Sequence, residues 1–352
     1  MSKGYEGWIL VREGNGWGST TVREGHALFA DSVDLSVNKE FTERPEKITF
    51  GRSLKASQRT SGAQKPGGNV EFQPRSDDFP LILMAHNQMY EGTVSASVAT
   101  YTFVPVKTQP DWAGASYGSG SYTTNAGDMF VVDVWQKFHS AASGTANVQK
   151  YISCFVDEIT MTAAANEDLK INASFKADSY GSSNISAATN PNSSQGSYST
   201  NSQFEFFSGT MTFAGDSETD IDITNFTISS KNNAEDRITI GNLNPARYPF
   251  GRIMVDGELT MDMPNDGLKH MGSMLDGEAF AVVGTFYNAA DDQISFSMPN
   301  CRRDPFSVNQ SGGEAINEMS IPFSAYESDD GVTSPITWTV TTTGLGSAFS
   351  IE

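Results

Sequence analysis

From Leu169 to Ala177 the chain reads Leu-Lys-Ile-Asn-Ala-Ser-Phe-Lys-Ala, with every second residue apolar, and Met319-Ser-Ile-Pro-Phe-Ser-Ala325 repeats the alternation. A period of two sends one set of side chains to one face of a pleated strand, so both segments read as half-buried β-strands. The same alternation stands behind Gly68, through Val70 and Phe72, and behind Gly257, through Leu259 and Met261. Further β runs are expected at Phe204-Glu-Phe206, Thr210 to Ala214, Ile221 to Ile228 and 336–343. ITFG at 48–51 and ITIG at 238–241 read as strands stopped by a glycine. Helical signals are few. Asp77-Asp78-Phe79-Pro80 places an acidic N-cap just ahead of a first-turn proline, and the apolar run Phe79 to Met84 follows. After Asp266, Leu268, Met271, Met274 and Leu275 recur at helical spacing.

These signals come in two sets. ITIG follows ITFG by 190 positions, Gly257 follows Gly68 by 189, and Asp77 has Asp266 as its counterpart. Phe323 follows Phe175 by 148, so the second set is shorter in its middle. The surplus is assigned to the loop 107–127, KTQPDWAGASYGSGSYTTNAG. Upstream, DLSVNKEFTERPEK and NFTISSKNNAEDR each read as a strand entering a polar loop, and the polar stretches 52–67 and 242–256 hold the same place in each set. A duplicated domain keeps such an order. The expected organisation is a first domain at 1–177, a Ser/Asn/Gly-rich linker at 178–203, flexible unless held against a neighbour, and a second domain at 204–352.

Composition supports β structure: Gly, Ser, Thr, Asn and aromatics are abundant, and long Ala/Leu/Glu/Lys segments are missing. The 352-residue chain carries a net charge of −19, with 16 basic and 19 acidic residues in 1–177 against 7 and 23 in 178–352. Proteins that grip DNA neutralise its phosphates with Lys and Arg, so this chain is a poor candidate for a gripping role, whereas a surface that lets DNA slide past suits it. Cys154 and Cys301 make neither a disulfide framework nor a metal quartet and read as buried thiols. The opening residues hold only four consecutive apolar side chains, Trp8 to Val11, which predicts no signal peptide, no membrane span and synthesis in a cytoplasm.

Candidate chemistry is sparse. GASYG at 114–118 fits a G-x-S-x-G nucleophile elbow around Ser116, but that elbow needs an apolar strand before it and a helix after it, and neither is readable here. His26, His86, His139 and His270 show no zinc-ligand spacing. Asp77-Asp78, Asp291-Asp292 and Asp329-Asp330 lack the spacing of a calcium loop and read as caps and turns. The N-x-S/T triplets at Asn184, Asn192 and Asn225 are expected by accident in such a composition. Neither a catalytic residue nor a cofactor is assigned. The remaining cluster is basic: Arg52, Lys55, Arg59 and Lys65 lie in one polar loop, which suits contact with an acidic partner surface.

A twice-repeated order of strand, polar loop, ITxG strand, long loop, Gly-led alternating strand and Asp-started helix resembles the tail tube proteins of long-tailed bacteriophages. The strand-rich opening GWILVREGNGWGSTTVREGHALFADSVDLSV is similar to that family's start. The resemblance implies a mainly β fold of two tandem tail-tube-like β-sandwich or barrel domains, each with one short helix. It also implies a structural virion protein rather than an enzyme, assembled in the host bacterial cytoplasm into the virion tail. Two domains per chain imply homotrimeric, pseudo-hexameric rings stacked into a tube that conducts DNA. The implied partners are other copies of the chain, a tape-measure protein in the lumen, tail terminator and distal tail or baseplate proteins, and DNA in transient contact, with no membrane. Arg52, Lys55, Arg59 and Lys65 become a candidate ring-stacking loop, matched to the acidic remainder of the chain. The alternative is a phage decoration or receptor-binding β protein whose surface would include Trp112 and Tyr117. A glycan-cleaving depolymerase comes third, since no carboxylate pair can be placed from sequence.

Overall fold

Period-two alternation becomes a strand wherever one face can be covered, and here almost every alternating segment finds cover. A computed structural model describes residues 8–14, 22–43, 59–88, 90–95, 98–107, 130–140, 145–186, 197–199, 201–205, 209–214, 223–262, 275–289, 291–306 and 318–343. It is mainly β. In chain order the elements are β1 (Trp8–Gly14), β2 (Val22–Leu28), β3 (Ala30–Glu43), β4 (Arg59–Phe72), α1 (Phe79–Asn87), β5 (Tyr90–Ser95), β6 (Val98–Phe103), β7 (Val132–Ser140), β8 (Thr145–Ala164) and β9 (Lys170–Ser186). Then follow β10 (Ser197–Tyr198), β11 (Gly209–Ala214), β12 (Ile223–Lys231), β13 (Met254–Asp262), β14 (Ala279–Ala289), β15 (Asp292–Arg303), β16 (Glu318–Ala325) and β17 (Thr337–Thr342).

In the N-terminal half the strands run side by side as β2, β1, β7, β8, β9, β4 and β3, all antiparallel. The short β10 adds to β2 in parallel. In the C-terminal half β12, β13, β16, β15, β14 and β11 follow one another, again antiparallel. Two seams join the halves: β12 pairs with the C-terminal stretch of β8, and β17, which lies along β15, pairs with β6 of the β5–β6 hairpin.

The registers repeat between the halves. Gly68 on β4 faces Phe175 on β9, and Gly257 on β13 faces Phe323 on β16. Cys154 stands between Val132 and Ala177, and Cys301 between Phe280 and Ala325. Both thiols are fully buried, and burial pushes Cys154 well up and Cys301 up to about 12. β16 and β17 together run along β15 as β9 alone runs along β8, with 326–336 looping out between them.

One buried apolar cluster extends from Ile9 to Val340, so the halves share a core. Aromatic contacts thread it: Phe72 meets Phe79 at 6.5 Å, Phe79 meets Trp338 edge-on at 6.0 Å, and Trp338 meets Phe296 at 5.8 Å. α1 is the one helix among the described residues, and all nine of its residues are buried. It starts at Asp78 with Pro80 in its first turn, but the Asp78 carboxylate accepts from the Arg75 backbone N–H at 2.9 Å instead of capping the helix.

Several expectations change. Residues 178–186, read as the start of a linker, are the C-terminal part of β9 and pair with β8. The stretch 197–205 is tied down: the Ser199 hydroxyl donates to Asp77, the Arg75 guanidinium to the Asn201 carbonyl at 2.7 Å, and Phe204 is fully buried. Of the strand expected at 204–206, Glu205 makes an isolated bridge with Asp168, and Phe206 lies outside the described residues. The surplus of the first half falls between β4 and β7 and includes the β5–β6 hairpin; of the loop expected at 107–127 only Lys107 lies among the described residues. Of the second helix, read after Asp266 through Leu275, only Leu275 is described, helical and exposed, and ITFG at 48–51 and GASYG at 114–118 lie outside the described residues. ITIG is not a strand: Ile240 and Gly241 stand in a turn, and Gly241 has φ +94°. Pro245 and Pro249 follow, neither able to donate to a ladder, and β13 begins only at Met254.

Candidate assembly surfaces

β3 and β4 form a long hairpin paired from Ala30↔Phe72 out to Glu43↔Arg59, whereas β9 accompanies β4 only from Gly67 to Phe72. The outer half of the hairpin is therefore an arm beyond the main sheet, and its side chains from 31 to 41 are half-buried or exposed. From Val37 to Pro66 the sequence carries seven basic residues, Lys39, Arg44, Lys47, Arg52, Lys55, Arg59 and Lys65, against three acids, Glu40, Glu43 and Glu46. That is a local net charge of +4 in a chain of −19.

Of the four basic residues singled out from sequence, Arg52 and Lys55 lie outside the described residues. Arg59 opens β4 and Lys65 lies within it, so these two belong to a strand and not to a loop. The Lys65 ammonium stands 3.2 Å from Asp236 and 3.8 Å from Glu40, in ion pairs exposed enough to be worth under about 1 kcal/mol each.

Asp236 belongs to the connection 232–253 between β12 and β13. This connection leans on the arm through a 2.7 Å hydrogen bond from the Gln64 N–H to the Leu243 carbonyl. Its tip exposes Ile238, Ile240 and Leu243, with Ile240 fully open to solvent. Its base is anchored: the Tyr248 hydroxyl donates to the Ala177 carbonyl at 2.8 Å, and Phe155 packs on Tyr248 and Phe250, each at 5.3 Å.

The β8–β12 seam is the most heavily bonded contact between the halves. Seven residue pairs run from Asn225↔Ala164 to Lys231↔Glu158. Phe226 and Ile228 are buried there, each contributing about 1.5–3 kcal/mol by leaving water. At its end, α1 delivers His86 into a closed polar network. Nδ1–H donates to the Val156 carbonyl at 3.1 Å, and Nε2 accepts from the Ser230 hydroxyl at 2.9 Å. The Asn232 amide donates to the His86 carbonyl at 2.9 Å and to Val156 at 3.2 Å. Burial holds the His86 imidazole down to about 4, so it is neutral. Lys231 and Glu158 pair at 3.0 Å and Lys176 and Asp157 at 2.9 Å beside it. Sequence reading passed over this network because its members lie up to 146 positions apart.

On the other side of the sheet Trp135 lies between the Arg12 guanidinium at 4.7 Å and the Lys150 ammonium at 4.0 Å. Asp133 beside them accepts from the Ser153 N–H at 2.9 Å, and burial raises its carboxyl to about 6. Asp330 accepts from the Ser328 hydroxyl and the Val332 N–H, a turn role. Among the described residues no group of three or more His, Cys, Asp or Glu side chains is placed to hold a metal ion. Nor is any helix there long and apolar enough to cross a membrane.

The geometry offers paired seams, projecting arms and exposed tips, which are means of joining chains. No curated protein sequence matches the chain. The family model described as phage tail tube protein matches residues 10–340, nearly the whole length. The chain therefore belongs to the phage tail tube protein family, a structural component of the virion tail.

Proposed function

We propose that this chain is two tube domains in tandem, and that three chains close a ring of pseudo-sixfold symmetry which stacks into the conduit for phage DNA. The observation that carries the reading is the shared register, Gly68 on Phe175 and Gly257 on Phe323, together with β12 of the second half seated on β8 of the first. A junction between like domains that leaves the second one free to repeat it is a head-to-tail contact, and such contacts close when the rotation allows. Closure also removes open sheet edges. The domains are then 1–186 and about 205–352, with the tied segment 197–205 passing between them. Ring contacts along the tube axis need not terminate, so length is set by other proteins: a tape-measure protein within, with terminator and distal tail proteins at the ends. Assembly takes place in the host cytoplasm. The acidic balance of the chain suits a lumen that repels phosphate.

Electron microscopy and mass measurement of the purified chain test this. Rings or tubes of sixfold appearance with a mass of three chains are expected, and dispersed monomers at high concentration would overturn it. The basic arm is the stacking element. Reversing Arg52 and Lys55 to Glu is expected to cut tube yield severalfold while leaving the thermal unfolding of the chain unchanged. Undiminished tube yield would remove the arm from stacking.

A further inference from the structure

Resting on that reading, we infer that the outer edge of β3 pairs with the C-terminal half of a second copy of this chain, in the register that β12 uses on β8. β12 lies between two strands, β13 and β8. β3 holds the same place in the first half: Val33 faces Val70 and Leu35 faces Gly68, as Phe226 faces Leu259 and Ile228 faces Gly257. Yet among the described residues β3 pairs with β4 alone.

Burial reports the missing neighbour. Phe226, Ile228 and Ser230 are buried, while their counterparts Val33, Leu35 and Val37 are only half-buried, although all three pack against the core. On the opposite face Thr227, Ser229 and Lys231 are half-buried, and Asp34, Ser36 and Asn38 are exposed. Every position from 33 to 38 is one step more open than its counterpart, as expected for the same strand with one neighbour removed. A 14-residue edge of this kind is an aggregation hazard unless another chain takes it.

The acceptor is set by the same correspondence. The part of β8 that receives β12 begins just after Val156, which faces Phe175. β15 reaches that place at Arg303, which faces Phe323, and the Asp304 N–H continues the ladder to the Pro322 carbonyl at 2.9 Å. The pair Lys231↔Glu158 thus has Asn38 and Pro305 as its counterparts, both exposed. The seam between chains lacks that ion pair. It also lacks the β6–β17 clasp, because among the described residues the β5–β6 hairpin has no counterpart in the second half. A ring built this way alternates a double seam inside each chain with a single seam between chains.

The test is a double variant, Asn38→Cys with Pro305→Cys, oxidised after assembly; Cys154 and Cys301 are buried and supply no exposed thiol. Directly opposed residues in antiparallel strands lie about 4.5–5.5 Å apart, within disulfide reach. Covalent dimers and trimers on a denaturing gel are expected, with neither single variant linking. Ser36→Cys with Pro305→Cys, two residues out of register, is expected to link at least tenfold less, and equal linkage would overturn the register. Rings or tubes seen by electron microscopy without covalent linkage of the first pair would overturn the edge assignment and leave the tube reading intact. Folded double variants and a folded parent that give neither rings nor tubes would overturn the tube reading, and this inference with it. Circular dichroism establishes folding in each case.

Discussion

Replacing Gly68 by alanine is expected to remove about 4 kcal/mol or more of stability and to leave little soluble chain. Gly68 has φ +141°, which L side chains rarely adopt, and an added Cβ would stand 2.0 Å from the Asp34 carbonyl oxygen on β3. A backbone oxygen in a paired strand cannot step aside. At the corresponding position of the second half, the Cβ of Gly257→Ala would stand 2.3 Å from Cζ of Phe323. That obstacle is a side chain, but the ring is fully buried and packs edge-on against Phe280 at 5.7 Å, so overpacking of about 1–3 kcal/mol is expected. Soluble yield and thermal unfolding of the two variants, side by side, measure this. Wild-type stability of Gly68→Ala would mean that β3 does not approach β4 as described.

The two glycines also show what could be read from the sequence. Gly68, Gly257, Phe175 and Phe323 were legible because the strands that carry them have one buried face, so their apolar alternation and spacing recur in both halves. The reason each glycine is required was not legible, since one avoids a backbone oxygen and the other an aromatic ring. ITIG misled because isoleucine and threonine favour strands, whereas Pro245, Pro249 and the positive φ of Gly241 deny that segment a ladder and leave Ile240 in solvent. The linker was overextended because Ser, Gly and Asn from 178 to 186 carry no apolar pattern, yet β8 pairs with them through backbone bonds that need none. The basic arm was legible as charge. The hairpin that carries Arg59 and Lys65 was not, because its outer half covers no core and shows no strong periodicity.

The seam between the halves is expected to be the acid-sensitive part of the chain, through His86. Its folded value of about 4 lies below the ordinary 6.5, so protons favour the unfolded chain in between. The stabilisation is complete above pH 6.5 and is lost as pH falls through 4, a span worth about 3 kcal/mol. Asp157 and Glu158 face the imidazole and favour its charged form, but burial outweighs both. Asp133 acts in the opposite sense. Raised to about 6, it binds its proton in the folded chain first, so it adds stability as pH falls from 6 towards 3.8 and masks part of the loss below pH 6. The variant His86→Gln isolates the histidine: urea unfolding against pH is expected to show a flatter acid limb than the parent while Asp133 is unchanged. Parallel limbs in the two proteins would rule out His86 as the sensor. His86→Ala goes further, removing partners from Ser230 and the Val156 carbonyl and opening a cavity at the end of the β8–β12 ladder. A loss of about 3–5 kcal/mol at neutral pH is expected, larger than for His86→Gln. Because the network ties α1 and β8 of one half to β12 of the other, that loss falls on the joint that holds the halves together, so chains that still fold are expected to form fewer rings.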